Sequence, residues 1–313
     1  MSKLFLTNSL RKPADRSPRL LRLLWAIEGG LIGALASVSR RFSPDRASAV
    51  GRRLMRTIGP RLDKTRVFRR NLRIAFPEKS AAELDELVCN IWGNMGAILA
   101  EYPHLETICR SEAAQRLEII RKGDSQVFRD AHKPAVFASA HLANWEIAAG
   151  AVVSVGVPLT GAYTPITNPW VDRILYRARL ALRCGMVKRE GAVRQLMKAL
   201  RNGVSVGLLV DQRVDAGQPV AFFGHDMNTS LTPAQLALRF DCELIPVQVQ
   251  RREGARYRVI FHEPVEACDV SADEHEKLLQ MTTKLNALFE SWIRERPHEW
   301  ICSKRRWPKD LAI

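Results

Sequence analysis

Several features that identify common classes of protein are missing from this sequence. None of the 6 cysteines has the Cys-x-x-Cys spacing of a zinc site, and their wide, irregular spacing does not indicate a disulfide framework. There is no internal repeat and no low-complexity tract. Hydrophobic residues make up 46% of the chain and charged residues 26%, so we expect a packed core with reduced thiols in a cytoplasmic setting.

Acidic residues are scarce relative to basic ones. The chain has 33 Asp and Glu residues against 48 Lys and Arg residues, which gives a formal net charge of +15. Such a balance favours an anionic partner, which can be nucleic acid, anionic lipid or an acidic protein. Zinc-finger spacing, an RNP-like aromatic strand and an obvious helix-turn-helix are all missing. We therefore predict an anionic membrane surface as a partner and no nucleic acid.

A clean membrane-spanning run is missing as well. The most apolar stretch, 20–38, contains Arg22 and Glu28, which are costly at a bilayer centre. We predict a short tilted span or an interfacial helix, with a soluble amphipathic helix as the alternative, and assign residues 1–42 to this anchor. Basic residues on both sides leave its orientation open. They are Arg11, Lys12, Arg16, Arg19, Arg40, Arg41 and Arg46.

The rest of the chain divides into a helical region, expected at 43–125, and an α/β core at 126–313. Ser80 and Glu83 have the spacing of a capping box, and a helix is predicted from Ala81 to about residue 100. Strands are expected at 134–139, 158–163, 204–210, 243–249 and 257–263, and helices at 144–155, 169–184, 190–202, 231–240 and 272–295. This order predicts an α/β sandwich with a mixed sheet.

The candidate chemistry lies in residues 138–146, Ala-Ser-Ala-His-Leu-Ala-Asn-Trp-Glu. His141 is expected at the end of a buried strand and Glu146 on the first turn of the next helix, a junction where α/β folds build their sites. An imidazole moves protons near neutral pH, and a nearby carboxylate fixes its tautomer. Because no nucleophilic Ser or Cys elbow accompanies the pair, the pattern predicts a base that activates the substrate's own hydroxyl. A purely structural histidine is the alternative.

The longer motif His-Leu-Ala-Asn-Trp-Glu resembles the signature of the lipid A biosynthesis acyltransferases, the lauroyl/myristoyl branch of the lysophospholipid acyltransferase superfamily. Further matching segments follow the family's order from about Asn71 onward. They are Asn-Leu-Arg-Ile-Ala-Phe-Pro-Glu at 71–78, Gly-Ala-Tyr-Thr-Pro-Ile-Thr-Asn-Pro at 161–169, Leu-Leu-Val-Asp-Gln-Arg at 208–213, Phe-Phe-Gly at 222–224, Thr229, and Arg-Arg-Trp at 305–307. The resemblance implies a mixed-sheet acyltransferase sandwich with an N-terminal helical, membrane-associating extension.

The resemblance also implies an activity. An acyl-acyl carrier protein thioester would donate a fatty acyl chain to a hydroxyl of a lipid A precursor, with no acyl-enzyme, no cofactor and no metal. His141 would be the general base and Glu146 would hold it, while Asn144 and Trp145 would shape the loop or the acyl entrance. Such an enzyme belongs at the bacterial inner membrane, with its active site on the cytoplasmic side.

One segment departs from the family pattern. Many relatives have Tyr-Arg-Pro where this chain has Tyr163, Thr164 and Pro165, so either another arginine serves the substrate or the acceptor differs. The sequence does not choose among the candidate arginines, which are Arg173, Arg177, Arg179 and Arg213. The acceptor could therefore be another lipid, such as a lysophospholipid, an ornithine lipid or a glycolipid. A non-catalytic basic membrane-binding protein is a more distant alternative.

Two further polar segments are candidate substrate contacts. Lys188 and Arg189 precede a predicted helix and could bind phosphate at its N-terminus, or form an ordinary exposed loop. Asp211, Gln212 and Arg213 follow an apolar strand, where substrate sites of α/β folds lie.

Two aromatic segments keep two interpretations each. Residues 222–224 could line an acyl channel or pack in the core. Trp292, Trp300 and Trp307 lie among basic residues, which suits either a lipid headgroup interface or a packed terminus.

Overall fold

The computed structural model describes residues 17–110, 115–269, 271–308 and 311. The predicted basic flank Arg11, Lys12 and Arg16 lies outside these residues. Helices open the described chain. They are α1 (Pro18–Ser39), α2 (Pro44–Ile58), α3 (Thr65–Ala75), α4 (Ala81–Glu101) and α5 (Leu105–Arg110).

Side chains that satisfy free backbone N–H groups fix the starts of these helices. The hydroxyls of Ser17 and Ser43 accept hydrogen bonds from the first turns of α1 and α2, and a proline follows each serine. The capping box predicted at Ser80 and Glu83 is confirmed. The Ser80 Oγ accepts from the Glu83 N–H at 3.3 Å, and the Glu83 carboxylate accepts from the Ser80 N–H at 2.8 Å.

Helices α2 and α4 cross at two glycines. A Cβ placed on Gly51 would lie 2.3 Å from the Gly96 carbonyl oxygen, and one on Gly96 would lie 2.1 Å from the Gly51 carbonyl oxygen. Both distances are far below van der Waals contact, so only glycine allows the two backbones to approach this closely.

The α/β part is built on a seven-stranded mixed sheet with the order β1-β9-β8-β2-β5-β3-β4. Its strands are β1 (Leu117–Arg121), β2 (Val136–Ser139), β3 (Leu159–Tyr163), β4 (Gly185–Lys188), β5 (Ser205–Leu209), β8 (Leu244–Arg251) and β9 (Tyr257–Phe261). Neighbours pair in parallel except β8 and β9, which are antiparallel. A separate antiparallel hairpin consists of β6 (Gln218–Phe222) and β7 (His225–Thr229).

Helices connect these strands, and the α/β mixed-sheet prediction is confirmed. The helices are α6 (Glu146–Ser154), α7 (Pro169–Arg179), α8 (Ala192–Arg201), α9 (Thr232–Arg239) and α10 (Glu274–Glu295). The expectation of helix throughout 43–125 is wrong at its end, because β1 pairs with β9 within the sheet. Strand β4 and the β6–β7 hairpin were not expected from the sequence. The boundaries at residues 42 and 125 remain predictions.

Helix α1 is long and apolar enough, by length and composition, to cross a membrane, and little of it is buried. Leu23, Ile27, Leu31 and Leu35 are exposed along it. Glu28, the residue that makes a lipid environment costly, is buried instead and accepts a hydrogen bond from the Asn168 amide at 3.1 Å. The acidic group of α1 is therefore shielded by the protein rather than exposed on the apolar side.

The aromatic residues near the C-terminus are packed inside the protein. Trp292, Trp300 and Trp307 are all buried, as are Phe222 and Phe223 at the turn of the β6–β7 hairpin. The ring of Trp300 stacks on Phe223, with centroids 6.1 Å apart. Of the two interpretations of each segment, the structure favours core packing, because all five rings are buried and pack against one another or against neighbouring core residues.

Candidate active site

The strand register brings the candidate residues to one edge of the sheet. Strand β2 pairs in parallel with β5, with Ser139 opposite Leu209. His141 follows Ser139 by two residues and Asp211 follows Leu209 by two residues, so the same register carries both side chains past the carboxyl ends of neighbouring strands. This edge is where open α/β sheets place their ligands.

His141 and Asp211 form a buried hydrogen-bonded pair. The His141 Nδ1 lies 2.6 Å from an Asp211 carboxylate oxygen, and Asp211 is only 2% exposed. The other carboxylate oxygen accepts from the Trp300 indole N–H at 3.0 Å. Burial by itself raises the pKa of Asp211, but the neighbouring His141 and the hydrogen bonds from His141 and Trp300 outweigh it and lower that pKa. Asp211 is thus a charged acceptor that fixes the Nδ1–H tautomer of His141.

Two neighbours surround the other side of the imidazole. The Gln212 amide nitrogen lies 3.1 Å from the His141 Nε2 and 3.4 Å from Nδ1, so it lies beside the ring and not along the lone pair that the Asp211 contact leaves on Nε2. The ring of Trp145 lies against that of His141, with centroids 5.2 Å apart. The Gln212 amide therefore does not block the approach of a substrate hydroxyl along the Nε2 lone pair.

Glu146 does not take the place predicted for it. Its carboxylate accepts hydrogen bonds from the Arg179 guanidinium at 2.7 and 3.0 Å and from the Tyr102 hydroxyl at 2.8 Å. The ring nitrogens of His141 have Asp211 and Gln212 as their partners instead. The prediction that Glu146 orients His141 is therefore corrected. Glu146 is the first residue of α6. Its carboxylate links α6 to α7 through the largely buried Arg179, and to the end of α4 through Tyr102.

Arg179 is the one arginine of the four candidates that meets this cluster. It lies between Tyr102 and Tyr163, with the guanidinium carbon 5.7 and 5.8 Å from the two ring centroids. Burial and the charge of Glu146 raise the pKa of Tyr102 well above its usual value. The Arg179 Nη1 is buried and has no hydrogen-bond partner among the described residues. The other candidates differ: Arg173 and Arg177 are exposed, and Arg213 pairs with Asp215.

The loop that carries His141 is held by the chain that follows α10. Ala143 has a φ of +47°, a left-handed conformation that is uncommon for a residue with a side chain. Its N–H donates to the Glu299 carbonyl at 3.0 Å, and its carbonyl accepts from the Asn94 amide at 3.3 Å. The Ile301 N–H donates to the His141 carbonyl at 2.8 Å. These hydrogen bonds hold Ala143 in a conformation that costs backbone energy.

Asn144 belongs to a buried polar network beneath this loop. It is fully buried and donates to the Glu101 carboxylate at 3.0 Å, and Glu101 forms an ion pair with Arg251 and accepts from the Tyr257 hydroxyl. Of the roles expected for Asn144, shaping the loop agrees with this network, whereas a substrate contact at the acyl entrance is corrected because its side chain is fully buried.

The remaining predicted substrate residues lie at the same edge of the sheet but are exposed. Lys188 ends β4 and pairs with Tyr163 of β3, and the Arg189 N–H donates to the Tyr163 carbonyl at 2.8 Å. Lys188, Arg189 and Thr164 all have exposed side chains.

The sequence did not reveal which of these residues contact one another. Trp300 lies 89 positions from Asp211, and Glu101 lies 150 positions from Arg251, so no local spacing signals either contact. The sequence signal for Asp211 was its position as a polar residue directly after a predicted strand.

Comparison with known proteins gives the family. The model of the bacterial lipid A biosynthesis acyltransferases matches residues 16–309, nearly the whole chain. The chain belongs to this acyltransferase family. It is therefore an enzyme, an acyltransferase that acts on lipids, as the motif at His141 predicted.

Other comparisons add little to this assignment. A crystal structure of a 1-acyl-sn-glycerophosphate (LPA) acyltransferase, PlsC, from Thermotoga maritima matches with 13% identity and a TM-score of 0.37. The match covers 73% of the present chain and 93% of the Thermotoga maritima protein. No curated protein matches the present chain.

Proposed function

We propose that this acyltransferase moves a fatty acyl chain from an acyl-acyl carrier protein thioester to a hydroxyl of a lipid A precursor, with His141 as the general base. The observation that carries the proposal is the 2.6 Å contact between the His141 Nδ1 and buried Asp211. A carboxylate at Nδ1 leaves the Nε2 lone pair for the substrate and stabilises the imidazolium that forms.

The proposed reaction is a direct attack. The acceptor hydroxyl approaches along the Nε2 lone pair, and its proton passes to the His141 Nε2 as its oxygen bonds to the thioester carbonyl carbon. The tetrahedral intermediate then collapses, the C–S bond breaks, and the imidazolium returns the proton to the leaving thiolate. No bond forms between the acyl group and the protein, so no acyl-enzyme is required.

Two positively polarised groups near the His141 loop can stabilise the developing oxyanion. Helix α6 begins at Glu146 directly after this loop; the Ile147 and Ala148 N–H groups of its first turn donate to the Asn144 and Trp145 carbonyls, so the helix contributes the positive end of its dipole. Arg179 adds a buried cation with an unpartnered Nη1. We propose Arg179 as the residue that replaces the arginine missing at Thr164. In this arrangement Glu146 is a positioning residue, because it acts through Arg179 and does not contact the reacting atoms.

The surface supports the partners that this reaction needs. The net charge of +15 favours both an acidic carrier protein and a phosphorylated acceptor. The exposed apolar residues of α1 favour attachment to a membrane, with Glu28 turned into the protein. We propose the bacterial inner membrane as its location, with the active site on the cytoplasmic side, where acyl carrier protein is found.

A different lipid acceptor is the second candidate, and Thr164 is the observation that favours it. The family arginine is replaced by an exposed uncharged side chain, which removes a cation from the acceptor side. A lysophospholipid, ornithine lipid or glycolipid with fewer anionic groups would lose less from this change than a lipid A precursor.

A transfer assay tests both candidates. Purified full-length enzyme and His141→Ala receive labelled acyl carrier protein thioesters of several chain lengths, with lipid A precursor and lysophospholipids as competing acceptors. We expect transfer to the lipid A precursor and its loss in the variant. Transfer only to another lipid would keep the chemistry and replace the acceptor. Equal transfer by both proteins would refute His141 as the base.

A further inference from the structure

A cavity separate from the His141 site is lined by arginines. Its volume is about 410 Å³, and it lies between α2, the end of β8 and the segment after α10. The charged residues in its wall are Arg52, Arg251, Arg252, Arg296, His298 and Glu299. Neither His141 nor Asp211 contributes to it.

Only some of these arginines have a carboxylate partner. Arg251 forms a buried ion pair with Glu101, and Arg296 pairs with Glu299 at 2.5 Å. Arg52 and Arg252 form no ion pair with any carboxylate among the residues that the structure describes. The cavity therefore holds more positive charge than its own acidic residues neutralise.

Arg52 is the arginine of this cavity whose pKa is lowered, although the carboxylates of Glu101 and Glu299 oppose the effect. Burial and the positive charge of Arg251 lower its pKa from the usual value. A partly desolvated guanidinium beside another guanidinium is unfavourable unless an anion offsets the charge. The fork of guanidinium donors matches the geometry of phosphate oxygens, which accept such hydrogen bonds in pairs.

We propose that this cavity binds a phosphate group, carried by a phosphorylated lipid headgroup or present as a free phosphate. Its volume lies within the range of about 300–1,000 Å³ typical of small-molecule sites, so it has room for a phosphate with an attached group. The proposal goes beyond the acyl-transfer function and does not depend on it, because binding is measured without turnover.

The cavity wall also holds the catalytic loop. Arg251 donates to the Asn94 side chain at 3.2 Å, and the Asn94 amide donates to the Ala143 carbonyl. The Glu299 carbonyl accepts from the Ala143 N–H. A phosphate held by Arg52 would lie in the same cavity as Arg251 and Glu299, which position the His141 loop, and this gives the site a route to influence the reaction.

Phosphate binding to the full-length protein tests the proposal. Thermal unfolding is followed against inorganic phosphate for wild type, Arg52→Gln and the control Arg53→Gln, which removes the same charge from an exposed position on the same helix. We expect a saturable rise in Tm for wild type and Arg53→Gln, and binding about tenfold weaker in Arg52→Gln. No saturable effect in wild type, or equal weakening in both variants, would overturn the proposal.

A second pair of variants covers a failure of Arg52→Gln to fold. Arg252→Gln removes the other unpaired guanidinium from an exposed position, and Arg256→Gln removes an exposed charge outside the cavity. The same difference in phosphate binding is expected between these two, and equal binding would overturn the proposal.

Vesicles identify the source of the phosphate. Phosphatidylcholine vesicles with and without phosphatidic acid are offered to wild type, Arg52→Gln and Arg53→Gln. A preference for phosphatidic acid that is lost only in Arg52→Gln, and that inorganic phosphate reverses, supports a lipid headgroup. Phosphate binding that depends on Arg52 without such a preference supports a soluble phosphate.

Discussion

Exchanging Asp211 for asparagine tests which carboxylate serves His141. Asp211→Asn keeps the size of the side chain but removes its charge, and its amide can present an N–H to the imidazole Nδ1. A hydrogen bond between buried groups of which one is charged is worth about 1.5–3 kcal/mol, which corresponds to roughly 10- to 150-fold in rate. The wrong tautomer adds to this loss, since general-base catalysis contributes about 10²- to 10⁴-fold. We therefore expect kcat to fall by between about 10² and 10⁴.

The matched comparison is Glu146→Gln. Its carboxylate pairs with Arg179, and both side chains are largely buried, 9% and 13% exposed. Removing one partner of such a pair leaves the other charge buried and costs about 3–5 kcal/mol of stability. We expect this variant to melt at a lower temperature and to lose less kcat per folded molecule than Asp211→Asn.

The assay measures kcat and KM for acyl transfer at a temperature where circular dichroism shows both variants to be folded. Asp211→Asn is expected to change kcat with KM within about twofold, because Asp211 acts on the base and not on substrate binding. If Asp211→Asn keeps more than about a tenth of the wild-type kcat while Glu146→Gln loses more, the role given to Asp211 is refuted.

Four further substitutions test the packing, the acid response and the support of Asp211. Gly51→Ala should destabilise the fold by about 1–3 kcal/mol by overpacking the helix crossing, whereas Gly30→Ala, with open space around its Cβ, should stabilise it by about 0.5–1 kcal/mol in urea unfolding. Burial and the nearby Lys122 lower the pKa of His262 to about 4, so the unfolded chain binds a proton first as pH falls from 6.5. Stability should therefore fall between pH 6.5 and 4, by about 1–2 kcal/mol once solvent screening of this part-exposed ring is allowed for, and His262→Gln should flatten this dependence in thermal melts. Trp300→Phe removes one donor to Asp211 and should lower kcat about tenfold with little change in KM.

Much of the α/β core could be predicted from the sequence because its central strands are rich in apolar residues. Strands β2 and β5 lack the polar alternation of half-exposed strands, whereas β8 begins with apolar residues and then alternates Val with Gln248 and Gln250, although all of it is buried. The missed strands are short or lie at edges. Strand β4 has only 4 residues at one edge of the sheet, and β6 contains Pro219 in a hairpin outside it. Propensity is weak there, and tertiary pairing decides.

The position of the base could be predicted, but its partner could not. His141 and Glu146 are close in sequence, and that spacing suggested a pair. The left-handed turn at Ala143 and the start of α6 instead direct Glu146 toward Arg179. Asp211 is 70 positions away and reaches His141 through the parallel register of β2 and β5. Strand register is a property of the folded sheet, so spacing within one segment cannot reveal it.

The two carboxylates near the motif therefore serve different parts of one site. Asp211 is held by Trp300, and the backbone around Trp300 also holds the His141 loop, so the chain after α10 positions both members of the pair. Glu146 instead keeps Arg179 charged and fixed beside Tyr163, at the end of the next strand. Loss of Asp211 should disable the base, whereas loss of Glu146 should release the cation and loosen the contact between α6 and α7. The two effects are separable because one appears in kcat and the other first in Tm.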